Sequence, residues 1–204
     1  EMCIRDRIWR EKTNIRLQNN QIAINNLRPL SRNLISTNKL FGLANATVAE
    51  AFINLKKLDS ANIYITRAGN HEKNIDQKVR YKYITAQINE RIGNQDLALF
   101  YYQSIVKMNW NTQRKFWINS KINALRLSNI IYETDFIEPV KELLNLYENQ
   151  KFSHTIYRSL GLYYLNKNID SLAQDYLSIS LNSEGIDTPT KQKNYRDLIN
   201  LNLK

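Results

Sequence analysis

Cysteine occurs once in these 204 residues, proline three times and glycine five times. With one thiol, Cys3, no disulfide can close within the chain and no cysteine-based zinc knuckle can assemble. No glycine-rich phosphate loop and no His-Glu-x-x-His pattern is present. No apolar run approaches the ~20 residues that span a bilayer. The two histidines, His71 and His154, fall between helices or at a helix start and are expected to be solvated. Asp135 and Glu138 fall near a turn, where helix-start acids are favoured by the macrodipole alone. They are not taken as an acid/base pair. No catalytic residue, cofactor site or metal site is expected, and the chain is not expected to be an enzyme.

Positive charge is in excess, at a net +10. Such a balance suits nucleic acid, an acidic partner or an anionic membrane surface. The basic residues are scattered, however, with no block of five or six. Asn, Ile and Lys are abundant together, as AT-rich codons alone would make them. Specific nucleic-acid binding is therefore not expected. The opening EMCIRDR reads like the translation of the transposon end ligated to fragments in shotgun sequencing libraries, the alternative being a natural peptide that matches by chance. Residues 1–7 are expected to be foreign, to pack against little, and to leave the natural chain without cysteine. Helical packing is expected from Ile8-Trp9 onward, with residues 8–204 a fragment of a longer protein.

Helical spacing dominates the rest. Tyr157, Leu160, Gly161 and Tyr164 share one face; after Asn166-Lys167-Asn168, a second face carries Leu172, Ala173, Tyr176, Leu177 and Ser180. Ala86 and Ala98, Tyr101, Tyr102 and Ile105 flank Gly93-Asn94 in the same way, glycine being a helix-stop residue. Ala23, Ala61, Ala98 and Ala173 recur at intervals of 38, 37 and 75 residues. The missing anchor falls near Val140, with Pro139 suited to a helix's first turn. The spacing predicts an all-α solenoid of about five helical hairpins plus a partial terminal helix capped by Thr188, with Pro189 first in it. Small residues let the two helices of a hairpin cross closely, and each hairpin needs a neighbour to cover its apolar face. Pro29 falls inside a second helix and should kink it.

These features resemble the tetratricopeptide repeat. Tyr157-x2-Leu160-Gly161-x2-Tyr164…Ala173…Leu177 matches its pattern, and Ala86…Gly93-Asn94…Ala98…Tyr102 matches most of it. The stretch from Trp117 to Tyr147 lacks the small pair. A narrower resemblance rests on Arg80, Tyr81, Tyr83, Ile84, Ala86, Gln87, Gly93, Ala98, Tyr101, Tyr102, Val106, Lys107, Met108 and Asn109. Phe116, Asn119 and Ile122 continue it. This run is similar to the SprE/PorW tetratricopeptide lipoproteins of type IX secretion and gliding motility in Bacteroidetes, and departs from them at Trp110-Asn111-Thr112-Gln113.

The resemblance implies a periplasm-facing outer-membrane lipoprotein whose partners are secretion-machinery proteins. Its membrane anchor would lie upstream of this chain. The tetratricopeptide frame places Arg80, Tyr83, Gln87, Glu90 and Arg91 on an inner groove, with Arg158 the comparable residue of the last full repeat. Arg and Tyr are frequent binding anchors. The alternative is a cytoplasmic sensory or interaction arm of a regulatory protein such as a histidine kinase. "RYKY" interleaves cations and aromatics, but Tyr81 and Tyr83 point to different helix faces, so no stacking platform for single-stranded nucleic acid follows.

Overall fold

A computed structural model describes residues 3–109, 112–128 and 132–203. Glu1, Met2, Trp110 and Asn111, on which parts of the sequence reading fall, lie outside the described residues. Among those described there is no strand, and two compact units divide the chain at Phe116/Trp117.

The first unit holds three hairpins: α1 (Ile4–Arg16) with α2 (Asn20–Asn33), α3 (Phe41–Asn54) with α4 (Leu58–His71), and α5 (Ile75–Arg91) with α6 (Gln95–Met108). The second holds most of α7 (Arg114–Leu127), then α8 (Thr134–Glu142) and two 3-10 segments, Leu143–Asn145 and Tyr147–Phe152. A last close hairpin, α9 (Ser153–Asn166) with α10 (Asp170–Asn182), is followed by α11 (Thr188–Asn202). The expected order of five helix pairs and a terminal helix is present.

One turn geometry closes four of these pairs. Gln18, Lys56, Gly93 and Asn168 all adopt positive φ, at 64°, 59°, 88° and 57°. Each lets the next residue's N–H reach back over the helix end: Asn19 to Asn14, Lys57 to Phe52, Asn94 to Asn89 and Ile169 to Tyr164, at 2.8–3.0 Å. This is the Schellman arrangement, which satisfies the last carbonyls of the first helix and reverses the chain. Five residues after each turn comes Ala23, Ala61, Ala98 or Ala173, all fully buried. Twelve residues before each alanine, on the first helix, stand Glu11, Ala49, Ala86 and Gly161, all buried. Gly161 shows why size matters there. A Cβ on it would lie 2.8 Å from Leu177 Cγ and 3.2 Å from the Leu177 backbone nitrogen.

Glu11 breaks the small-residue rule and is still completely buried. Its carboxylate accepts from Arg10 Nε at 2.7 Å, Asn14 Nδ2 at 2.6 Å and Asn26 Nδ2 at 3.1 Å. A buried carboxylate is tolerable only with such partners. Asparagines also join successive hairpins. Asn62 and Asn89 exchange a reciprocal amide pair at 3.2 and 3.0 Å, and Asn54 donates to Asn20 at 3.0 Å.

Several expectations are corrected. Helix α1 starts at Ile4, four residues before Ile8, because Ile4 packs on the first unit's core. Cys3, Arg5, Asp6 and Trp9 are exposed, Trp9 with Lys12 Nζ 4.8 Å from its ring centroid. Pro29 does lie inside a second helix as expected, on an exposed side of α2, which continues four residues past it. Pro139 lies mid-helix in α8, not in its first turn; α8 already begins at Thr134, beside the Asp135 carboxylate that accepts from Tyr132 N–H at 2.9 Å. Three residues into α8, the place the alanines hold elsewhere, stands Ile137 rather than Val140, and both are buried. The α11 cap is Asp187, accepting from Thr190 N–H at 2.8 Å, so Pro189 is second in that helix.

His71 ends α4, exposed, edge-on to Phe41 at 5.1 Å. His154 is no solvated residue. It is 5% exposed in the first turn of α9, where its carbonyl accepts from Ser180 Oγ at 2.6 Å, because α10 covers that turn.

Glycine substitutions separate the turn from the crossing. Gly93→Ala, where an added Cβ meets nothing within 4 Å, is expected to cost about 1 kcal/mol, from left-handed backbone strain alone. Lys56→Gly should stabilise by about 0.5 kcal/mol, strain relief less glycine's entropy. Gly161→Val should cost about 2 kcal/mol through overpacking on Leu177. Urea denaturation of the three variants checks the order.

Candidate functional site

The first helices of the three hairpins of the first unit lie in sequence α1, α3, α5, and a cleft of about 570 Å³ opens along them. Its position follows from local sequence. On α3, Leu43, Ala46, Thr47, Glu50 and Ile53 fall at helical spacing, so one stripe faces the cleft. Ala46 and Ala49 carry little side-chain volume, which deepens the floor between the larger neighbours Leu43, Ile53 and Ile84. Lys12 comes from α1, and Gln77 and Arg80 come from α5, placing cations on opposite sides of Glu50. Neither Lys12 nor Arg80 forms an ion pair among the described residues.

Tyr81 lines the same cleft but is 6% exposed. Burial, and next the nearby Glu72 carboxylate, push its phenol from 10.0 up to about 12. Lys82, its neighbour, is pulled below the ordinary lysine value, by burial first and by Lys78 second. It reaches Ser104 Oγ at 3.4 Å and so ties α5 to α6.

The six residues expected on an inner groove divide. Arg80 lines the cleft, and Gln87 and Arg91 are exposed further along the same stripe of α5. Tyr83 and Glu90 lie on a neighbouring face of that helix. The Tyr83 ring packs on Tyr102 at 5.7 Å and on Phe116 at 5.4 Å, and Glu90 accepts from the Tyr102 hydroxyl at 3.3 Å. Both are therefore packing residues rather than cleft residues. The reason is angular: at 100° per residue, Tyr83 and Glu90 sit about 60–80° from Arg80, towards α6.

Arg158, in the second unit, is engaged within the chain. It donates to Asn194 Oδ1, and its other nitrogen lies 2.7 Å from Asp197 Oδ2, both on α11. Asn194 is fully buried and donates in turn to Ser180 Oγ at 2.8 Å. This network docks the terminal helix.

Sequence reasoning missed Lys12, Glu50, Gln77 and the apolar floor. It took the groove from one well-matched repeat and did not extend the stripe to α1 and α3. The 43–46–50–53 spacing was the available signal.

A smaller cleft of about 210 Å³ lies in the second unit, with α7 and α9 as walls, among them Asn119, Asn123, Ser159 and Asn166, over Phe136 and Tyr163. Those two rings stack at 4.8 Å. The Tyr163 hydroxyl is raised above 10.0 by burial and then by Glu133. Tyr164 is raised to about 12, by burial first and then by a hydrogen bond with Glu133. Among the described residues no group of three or more His, Cys, Asp or Glu could hold a metal ion, and no helix is long and apolar enough to cross a membrane.

No protein-family profile and no curated protein matches the chain. Among solved structures it is similar to MamA, with TM-score 0.59 and 13% identity over 96% of this chain and 99% of that one. It is also similar to Acl4, an assembly chaperone of RpL4, with TM-score 0.60 and 11% identity over 99% of this chain and 86% of that one. At these identities the likeness concerns the fold. The chain has the tetratricopeptide-like helical-hairpin solenoid fold of these neighbours.

Two outcomes follow from the geometry. The Tyr81 phenol is neutral in the fold and ionises late. Its contribution to stability is full below pH 10 and is lost as the pH climbs from 10 to about 12. Tyrosinate absorbance should show a late-titrating fraction that shrinks in Tyr81→Phe; an unchanged late fraction contradicts this. Asn194→Ala should cost about 2 kcal/mol, because it removes two hydrogen bonds of a buried amide, one from Arg158 on α9 and one to Ser180 on α10, and urea denaturation read by circular dichroism checks it.

Proposed function

We propose that the chain is a non-enzymatic scaffold that holds a segment of another protein in the α1/α3/α5 cleft. The observation that carries this is the cleft's make-up: an aliphatic floor from α3, α4 and α5, edged by Lys12 of α1 and by Glu50, Gln77 and Arg80. Such a surface supplies contact area and a few orienting charges, which is what polypeptide recognition needs. Most of it comes from rigid helices rather than loops, so a partner meets a preformed site.

The narrower reading is a component of the type IX secretion and gliding machinery, with a lipid anchor upstream and a periplasmic location at the outer membrane. It is supported by the resemblance over residues 80–109. Of the positions carrying that resemblance, Tyr81, Ala86, Ala98 and Tyr102 are buried and hold the hairpin together. Arg80 and Gln87 are exposed and are the ones a shared partner would read.

A photo-crosslinking residue at Ile84, inside the cleft, is the test in cells. It should capture a discrete protein that the same probe at Ile179, on the exposed side of α10, does not capture. Equal capture at both positions, or none at either, contradicts the cleft reading. For the secretion assignment, the complete gene should encode a lipoprotein signal; a kinase domain following this array would contradict it.

A further inference from the structure

The net charge is not spread over the molecule. Residues 1–116 carry 19 of the 29 Lys and Arg but only 9 of the 19 Asp and Glu; residues 117–204 carry 10 of each. The whole excess of +10 therefore belongs to the first unit, and the second is neutral. The cleft of the first unit shares this bias. Lys12 and Arg80 face it without ion pairs among the described residues, Arg16 and Arg91 extend the exposed cations of α1 and α5, and Glu50 is the one acid in its lining.

We infer that the α1/α3/α5 cleft selects an acidic segment of a partner protein, one that interleaves carboxylates with aliphatic side chains. This deepens the scaffold reading and rests on it. The aliphatic floor of Leu43, Ile53 and Ile84 receives the apolar side chains, and Lys12 and Arg80 receive carboxylates from opposite walls. Charge complementarity of this kind speeds encounter and fixes register. A nucleic acid fits the same surface less well. The cleft's one aromatic, Tyr81, is buried and so offers little face for a base to stack on, and a phosphate chain would run past Glu50.

The test uses two fluorescein-labelled peptides on the whole chain, one alternating glutamate with leucine, its twin with glutamine for glutamate. The acidic peptide should bind saturably at low ionic strength, at least about tenfold more tightly than its twin, with affinity falling as salt is added. Lys12→Glu and Arg80→Glu should each weaken it about tenfold, and Glu50→Gln should tighten it. The Glu50 variant gives an independent reading should a charge reversal disturb folding.

Equal binding of the twins, unchanged affinity in all three variants, or no saturable binding overturns the inference. So does tighter binding of a mixed-sequence single-stranded RNA, or of phosphatidylglycerol vesicles, through Lys12 and Arg80. Capture of a protein at Ile84 alongside equal binding of the twins removes the acidic preference alone. Failure of both removes the scaffold reading as well.

Discussion

The close crossing of two helices within a hairpin is the constraint on which this structure depends. Gly161 against Leu177 shows its tightness: the backbone nitrogen of one helix lies 3.2 Å from where a side chain of the other would begin. Such contact requires the chain to reverse within three or four residues, which a left-handed residue at the first helix's end makes possible. Turn and crossing therefore come as a pair, five residues apart in each close hairpin. Four repetitions of that pair set the period of the array.

The order of the first unit follows. Three hairpins closed the same way present their first helices along one cleft, and amide pairs such as Asn62 with Asn89 join one hairpin to the next. Of the buried polar groups, Asn20, Asn45, Asn89, Asn149 and Asn194 are asparagines. Part of the asparagine content that codon bias could account for is thus bonded structure. Where the crossing alanine is replaced, the second helix is short. Carrying Leu125 and Ile137 at the positions where the other hairpins hold their crossing residues, the fourth hairpin has a second helix of only nine residues that runs on into 3-10 turns.

The fold was legible because burial is periodic. Ala23, Ala61, Ala98 and Ala173 announce it, since nothing larger is compatible with their sites. The turn that accompanies them was legible at Gly93 and at Asn166-Lys167-Asn168 but not at Gln18 or Lys56. Gln18, Lys56 and Asn168 take the same backbone conformation without glycine, held there by the helices on either side. The site was half legible. Arg80, Gln87 and Arg91 follow from helical geometry, whereas Tyr83 and Glu90 depend on what α6 and α7 bring to them. Arg158 depends on Asn194 and Asp197, more than thirty residues away in sequence. His154 was misplaced for the same reason: its burial comes from α10, which local pattern does not reveal.

Native-state hydrogen exchange tests the central claim most directly, because it reports opening hairpin by hairpin. If paired turn and crossing hold the array together, amides around Ala61, Ala98 and Ala173 will exchange slowest. Those of α8 and the 3-10 segments after it will exchange much faster. Protection in α8 equal to that in α4, α6 and α10 would contradict the account.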